Sequence, residues 1–134
     1  MVYQRKKTCH IHSRLGIIRK ILGGEYMGKY MLVVGMNVAD PANEGEFNDW
    51  YNNIHFPDVL ETPNFVRATR WEHTGPKPED ARYLALYEIE TDDIQTAMKG
   101  LNETIAAKRE AGRMSNLGTP VIMGTYKQIF SLDT

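Results

Sequence analysis

Two stretches of helical spacing, each enclosed between strand-like segments, constrain this chain more than any other feature. Phe47, Trp50, Tyr51 and Ile54 recur at intervals of three and four, and so do Ile94, Met98, Leu101 and Ile105. Around them lie four runs with strand character: residues 30–38 (YMLVVGMNV), 65–73 (FVRATRWEH), 82–90 (RYLALYEIE) and 121–130 (VIMGTYKQIF). The order is βαββαβ, which predicts an α+β protein of ferredoxin-like arrangement with an antiparallel four-stranded sheet.

Local punctuation supports each boundary. Asp40-Pro41 closes the first run, and Asn43 with Glu46 three residues later predicts a capping box at the start of the first helix. Pro57 ends or kinks that helix, because it has no backbone N–H and its ring crowds the preceding turn. Gly75-Pro76-Lys77-Pro78 forces a loop between the middle strands, so they form an antiparallel hairpin. Strict alternation groups Val66, Ala68, Arg70 and Glu72 on one face of the second strand, and Tyr83, Ala85, Tyr87 and Ile89 on one face of the third. Asp92 and Asp93 place acid at the start of a second helix, which runs to about Arg113 and stops at Gly112 or Gly118.

Strands one and four are apolar at nearly every position, yet two helices cover only one face of such a sheet. A homodimer packed sheet on sheet, closing an α+β barrel, gives the second face a partner. A monomer with a greasy sheet face is the other reading.

Composition bounds the function classes. With 134 residues, the chain has the size of one domain, and its 42% hydrophobic and 25% charged residues are those of a globular protein. The longest uninterrupted apolar stretch, residues 31–36, is far short of the ~20 residues of a membrane span. Cys9 is the only cysteine, so nothing points to an oxidising compartment and a cytoplasmic location is expected. Residues 1–26 carry six basic side chains against Glu25, while the rest of the chain is net acidic, a poor surface for nucleic acid.

That basic arm reads as separate from the domain at 27–134. Leu15, Ile18 and Leu22 have the spacing of an amphipathic targeting or surface helix. Alternatively translation begins at Met27, since Gly23-Gly24-Glu25 is encoded by a purine-rich stretch resembling a bacterial ribosome-binding site. Cys9, His10 and His12 lack a second ligand pair and make a weak metal motif, and no metal or other cofactor is expected. Nucleotide, nicotinamide and zinc signatures are absent.

Residues 46–72 (EFNDWYNNIHFPDVLETPNFVRATRWE) carry Trp50-Tyr51, His55, Pro57, Pro63, Phe65 and Arg70-Trp71. This pattern resembles the dimeric α+β barrel proteins, particularly EthD-like and related small members. Asn64 stands where those proteins usually have Gly, and Asn is the residue that best tolerates the left-handed backbone a Gly there would supply. The resemblance implies the fold and a homodimer. Its range of chemistries is wide: cofactor-free oxygenation, isomerisation, polyketide cyclisation, haem chemistry and plain binding. No His-plus-Asn placement matches a haem-degrading member.

On these grounds the expected function is His-assisted proton transfer on a small apolar, aromatic or polyketide-like compound. An isomerase, cyclase or cofactor-free monooxygenase would work in this way, and a non-catalytic binding or accessory protein is the alternative. His55 is the candidate acid or base, oriented by Tyr51; Trp50, Arg70, Trp71 and Tyr87 are the candidate substrate contacts. Each also has a structural reading. His55 caps the helix C-terminus, the aromatic residues build the core, and Arg70 pairs with Glu72, Glu88 or a partner-chain acid.

Overall fold

The computed structural model describes residues 27–134; the basic arm, with Cys9, His10, His12 and both accounts of its origin, lies outside the described residues. Strand β1 (Gly28–Val38) leads through a 3-10 turn (Pro41–Asn43) into helix α1. That helix is α-helical over Glu44–Trp50, π-helical over Tyr51–His55 and α-helical again over Phe56–Val59. Strands β2 (Phe65–Glu72) and β3 (Tyr83–Thr91) form the hairpin, α2 (Ile94–Glu110) crosses back, and β4 (Gly118–Lys127) completes the sheet. Strand order is β2-β3-β1-β4, with every neighbouring pair antiparallel. This is the ferredoxin-like α+β fold.

Several local expectations are revised. Asp40, not Asn43, caps the first helical turn, accepting from the Ala42 N–H at 3.0 Å, because Pro41 starts a 3-10 turn before the α-helix. Pro57 does not end the helix. The backbone widens just ahead of it, Phe56 donating to the Tyr51 carbonyl five residues back, and Pro57 then falls in a first turn where its missing N–H is tolerated. Strict alternation fails at the start of β2, where a bulge between Phe65 and Arg67 returns Phe65 to the face of Ala68 and Arg70. Strand β4 begins and ends three residues early, so Gln128, Ile129 and Phe130 lie beyond it.

The hydrophobic core sits between the helices and one face of the sheet. Leu32, Tyr83, Ala85, Tyr87 and Ile89 rise from the central strands to meet Phe47, Tyr51 and Val59 of α1 and Ala97 and Leu101 of α2. Asn64 takes φ 75° in the turn into β2, the left-handed conformation expected of it. Gly118 lets β4 pass under α1, since a Cβ there would stand 2.5 Å from the Phe47 ring. Among the described residues nothing covers the opposite sheet face: Trp71 is 58% exposed, Ile122 46% and Tyr126 61%. No helix among the described residues is long and apolar enough to cross a membrane.

Candidate functional site

The π-helical segment sets the geometry around His55. Its imidazole stacks on Trp50, with ring centroids 4.6 Å apart and planes at 20°, and meets Tyr51 edge-on at 4.9 Å. No described residue hydrogen-bonds either ring nitrogen, so His55 is not the helix cap of the structural reading, and the helix continues past it to Val59. Burial between the aromatic rings lowers its pKa from 6.5 to about 4, against the opposing pull of the Asp58 carboxylate. The imidazole is therefore neutral at pH 7.

Asp58 itself is occupied elsewhere. A left-handed Gly112 (φ 75°) stops α2, with Arg113 donating to the Lys108 carbonyl, and this turn delivers the Arg113 side chain to α1. Its Nε and Nη2 donate to the two Asp58 oxygens at 2.8 and 3.0 Å. Those bonds hold the Asp58 carboxyl below the usual carboxylate range despite its burial. Lys108 stands 3.8 Å from Asp58 and 2.9 Å from Glu61. The Trp50 indole N–H closes the same corner by donating to the Arg113 carbonyl at 2.8 Å. Beside it opens a cleft of about 490 Å³, walled by Trp50, Glu46, Arg109 and the segment Met114 to Leu117. Trp50 thus faces both the cleft and His55.

On the far side of Tyr51 lies Arg70. Its guanidinium carbon sits 4.6 Å from the Tyr51 ring centre, 5.2 Å from Tyr83 and 5.8 Å from Phe47, and Nη1 donates to Asn52 Oδ1 at 3.1 Å. The carboxylates expected to pair with it are taken, Glu88 by Arg67 at 2.9 Å and Glu72 by Arg82 at 3.4 Å. The Tyr87 hydroxyl donates to that of Tyr51 at 3.4 Å, deep in the core. Burial pushes both phenols above their ordinary range.

Of the six residues singled out by sequence, Trp50, Tyr51, His55, Arg70 and Tyr87 share the helix side of the sheet, linked by direct contacts. Trp71 does not join them. It points from β2 to the uncovered face, its indole N–H bonded to Thr69 Oγ1 at 2.9 Å. Tyr51 meets His55 by ring contact and not by a hydrogen bond, its hydroxyl being engaged with Tyr87. Sequence reasoning missed Asn48 and Asn52, whose four-residue spacing on α1 was the available signal, and the Asp58–Arg113 pair, which had none. Among the described residues no three His, Cys, Asp or Glu side chains gather to hold a metal ion.

No family model and no curated protein matches the chain. Among solved structures it is similar to HapK from Hahella chejuensis, at 18% identity and a TM-score of 0.59 over 78% of this chain and 97% of that one. It is also similar to a monooxygenase from the gene ActVA-Orf6 of Streptomyces coelicolor, solved with nanaomycin D, at 20% identity and a TM-score of 0.51, covering 81% and 93%. An EthD family protein from Bacillus halodurans aligns at 19% identity over 76% and 99%, with a TM-score of 0.45. The likeness to the first two establishes the ferredoxin-like α+β fold, the architecture implied by the EthD-like pattern of residues 46–72.

Proposed function

We propose that this protein is a cytoplasmic homodimeric enzyme that moves a proton on a small aromatic or polyketide-like molecule, with no cofactor. The observation that carries this reading is the His55 ring. It is a neutral imidazole, fixed on two aromatic neighbours, with no hydrogen bond to a described residue. Fixing a base without consuming its lone pair leaves it available to a proton on a bound substrate. Removing a proton from carbon beside a carbonyl gives an enolate, the common entry to isomerisation, ring closure and direct attack on oxygen. Trp50 supplies an aromatic wall shared with the cleft, and the uncovered sheet face is where a second copy would sit. The solved monooxygenase of similar fold holds the ligand nanaomycin D, which supports a small molecule as the ligand here.

The test is replacement of His55 by Gln, measured against polyketide-like substrates. Turnover is expected to fall by about 10²- to 10⁴-fold while the fold and binding persist. A His55→Gln protein with unchanged turnover sinks the proton-transfer reading. A non-catalytic binding protein is the second reading. One observation favours it: a conjugate acid near pKa 4 makes His55 a weak base until a ligand changes its surroundings.

A further inference from the structure

Arg70 is the side chain that the fold leaves with unfinished chemistry. One edge of its guanidinium is satisfied by Asn52, but Nε and Nη2 are buried and have no acceptor. Both atoms lie on the same edge, the one with which Arg113 clasps Asp58 at 2.8 and 3.0 Å. In Arg113 that edge holds a carboxylate; in Arg70 no described residue accepts from it. The surrounding aromatic faces stabilise the cation through their quadrupoles but offer no lone pair to its N–H groups. A third orphan lies nearby in sequence and on the same side of α1. Asn48, one helical turn before Asn52, has a buried Oδ1 without a donor. Among the described residues these three are the only buried side-chain nitrogen or oxygen atoms without a partner. Such groups are rare in folded proteins, where they are satisfied by an enclosed water, an ion or a ligand.

We propose that the Nε–Nη2 edge of Arg70 is the seat for an anionic oxygen of the bound molecule, an enolate, phenolate or carboxylate carried on an aromatic ring, with Asn48 as its polar neighbour. The assignment rests on the small-molecule reading above and narrows its substrate class to acidic compounds. Charge decides between an anion and a neutral carbonyl. Glu72, the carboxylate that acts on Arg70, is engaged by Arg82, and Glu88 lies on the other sheet face with Arg67, so the partly buried guanidinium gains most from a ligand that brings a full negative charge. Because the Tyr51 ring contacts both Arg70 and His55, an oxygen seated at the fork lies one aromatic side chain from the proposed base.

The experiment compares two probes of nearly equal shape by calorimetric titration: 2-hydroxy-1,4-naphthoquinone, ionised at neutral pH, and its uncharged methyl ether. The anion is expected to bind wild-type protein about tenfold tighter or better, and Arg70→Gln to remove that preference. Arg70→Lys, which keeps the charge but not the fork, should retain only part of it. The Arg70 Nε–H resonance of the wild-type protein, which needs no variant to fold, should move downfield with the anion and not with the ether. Equal affinities in the wild type overturn the seat, as does a preference that survives Arg70→Gln. If both probes bind equally and shift the His55 ring signals, the anion seat is wrong and the small-molecule reading stands. If neither probe binds, the seat is equally wrong, while the turnover test on His55 is unaffected.

Discussion

Acidification is the perturbation that tests the described environment of His55 most directly. In the unfolded chain its imidazole takes up a proton near pH 6.5, whereas in the fold burial between Trp50 and Tyr51 delays this to about pH 4. Between those two values the unfolded state binds more protons than the folded one, so stability must fall as the pH falls. The stability contributed by the neutral ring is fully present above pH 6.5 and is lost progressively down to about pH 4. One proton corresponds to at most about 1.4 kcal/mol per pH unit. Because the ring is only partly buried, a loss of about 2 kcal/mol across the window is expected, or about 8 °C in thermal midpoint for a domain near 110 residues. The assay is the thermal midpoint from pH 7 to pH 4 for the wild type and His55→Gln, with the His55 ring carbon and nitrogen shifts followed by NMR. The slope should be shallower in the variant, and the wild-type ring should stay neutral down to about pH 4. A ring that titrates near 6.5, or an unchanged slope in His55→Gln, refutes the stacked, desolvated geometry. Asp58 acts in a separate window. Its carboxyl is held below the usual range, so its contribution is present above that range and disappears only as the pH falls through the lowered value.

Two other outcomes follow from the packing. Asp58→Ala removes the carboxylate that Arg113 grips from α2's end, and about 2 kcal/mol of stability should go with it, read by urea unfolding; Arg113→Ala added to it should cost little more, and additive losses would mean the two residues are not coupled. Sedimentation at micromolar concentration should give about twice 15.3 kDa, because the exposed Trp71, Ile122 and Tyr126 form an apolar sheet face, and Trp71→Asp should return the protein to monomer; a wild-type monomer removes the barrel from the reading.

The parts of the fold that depend on short spacing were legible in the sequence. Strand and helix order, the hairpin, the Asn64 turn and the shared face of Tyr83, Ala85, Tyr87 and Ile89 all follow from periods of two or nearly four and from residues with special backbone preferences. What escaped depends on a single inserted residue or on pairs far apart in the chain. The bulge at Phe65 leaves no mark in an alternating apolar pattern, and it reverses which residues share the Arg70 face. Arg70 offered two adjacent acids as partners, and only the folded arrangement shows Arg67 and Arg82 taking them. Asp58 and Arg113 are brought together by the left-handed turn at Gly112, which the sequence offered only as one of two helix stops.

The link between Pro57 and His55 shows how a local constraint reaches the candidate site. In an α-helix residues five apart are separated by roughly 140° around the axis, so Trp50 and His55 would not face each other. A proline two residues ahead offers no N–H to the carbonyl four residues before it, and a backbone that shifts to five-residue hydrogen bonds absorbs that loss, as the Phe56 bond to Tyr51 shows. The wider turn brings positions five apart closer to one side of the helix, and Trp50 and His55 meet as stacked rings at 4.6 Å. Stacking removes water from one face of the imidazole, and Tyr51 takes more of it from the edge, which is the desolvation that keeps the ring neutral. Tyr51, one regular α-helical turn after the buried Phe47, stays in the core between His55 on one side and the Arg70 guanidinium on the other. A neutral imidazole and a cation that no described carboxylate pairs are thus held against one aromatic ring, the arrangement on which the proposed enolate chemistry rests.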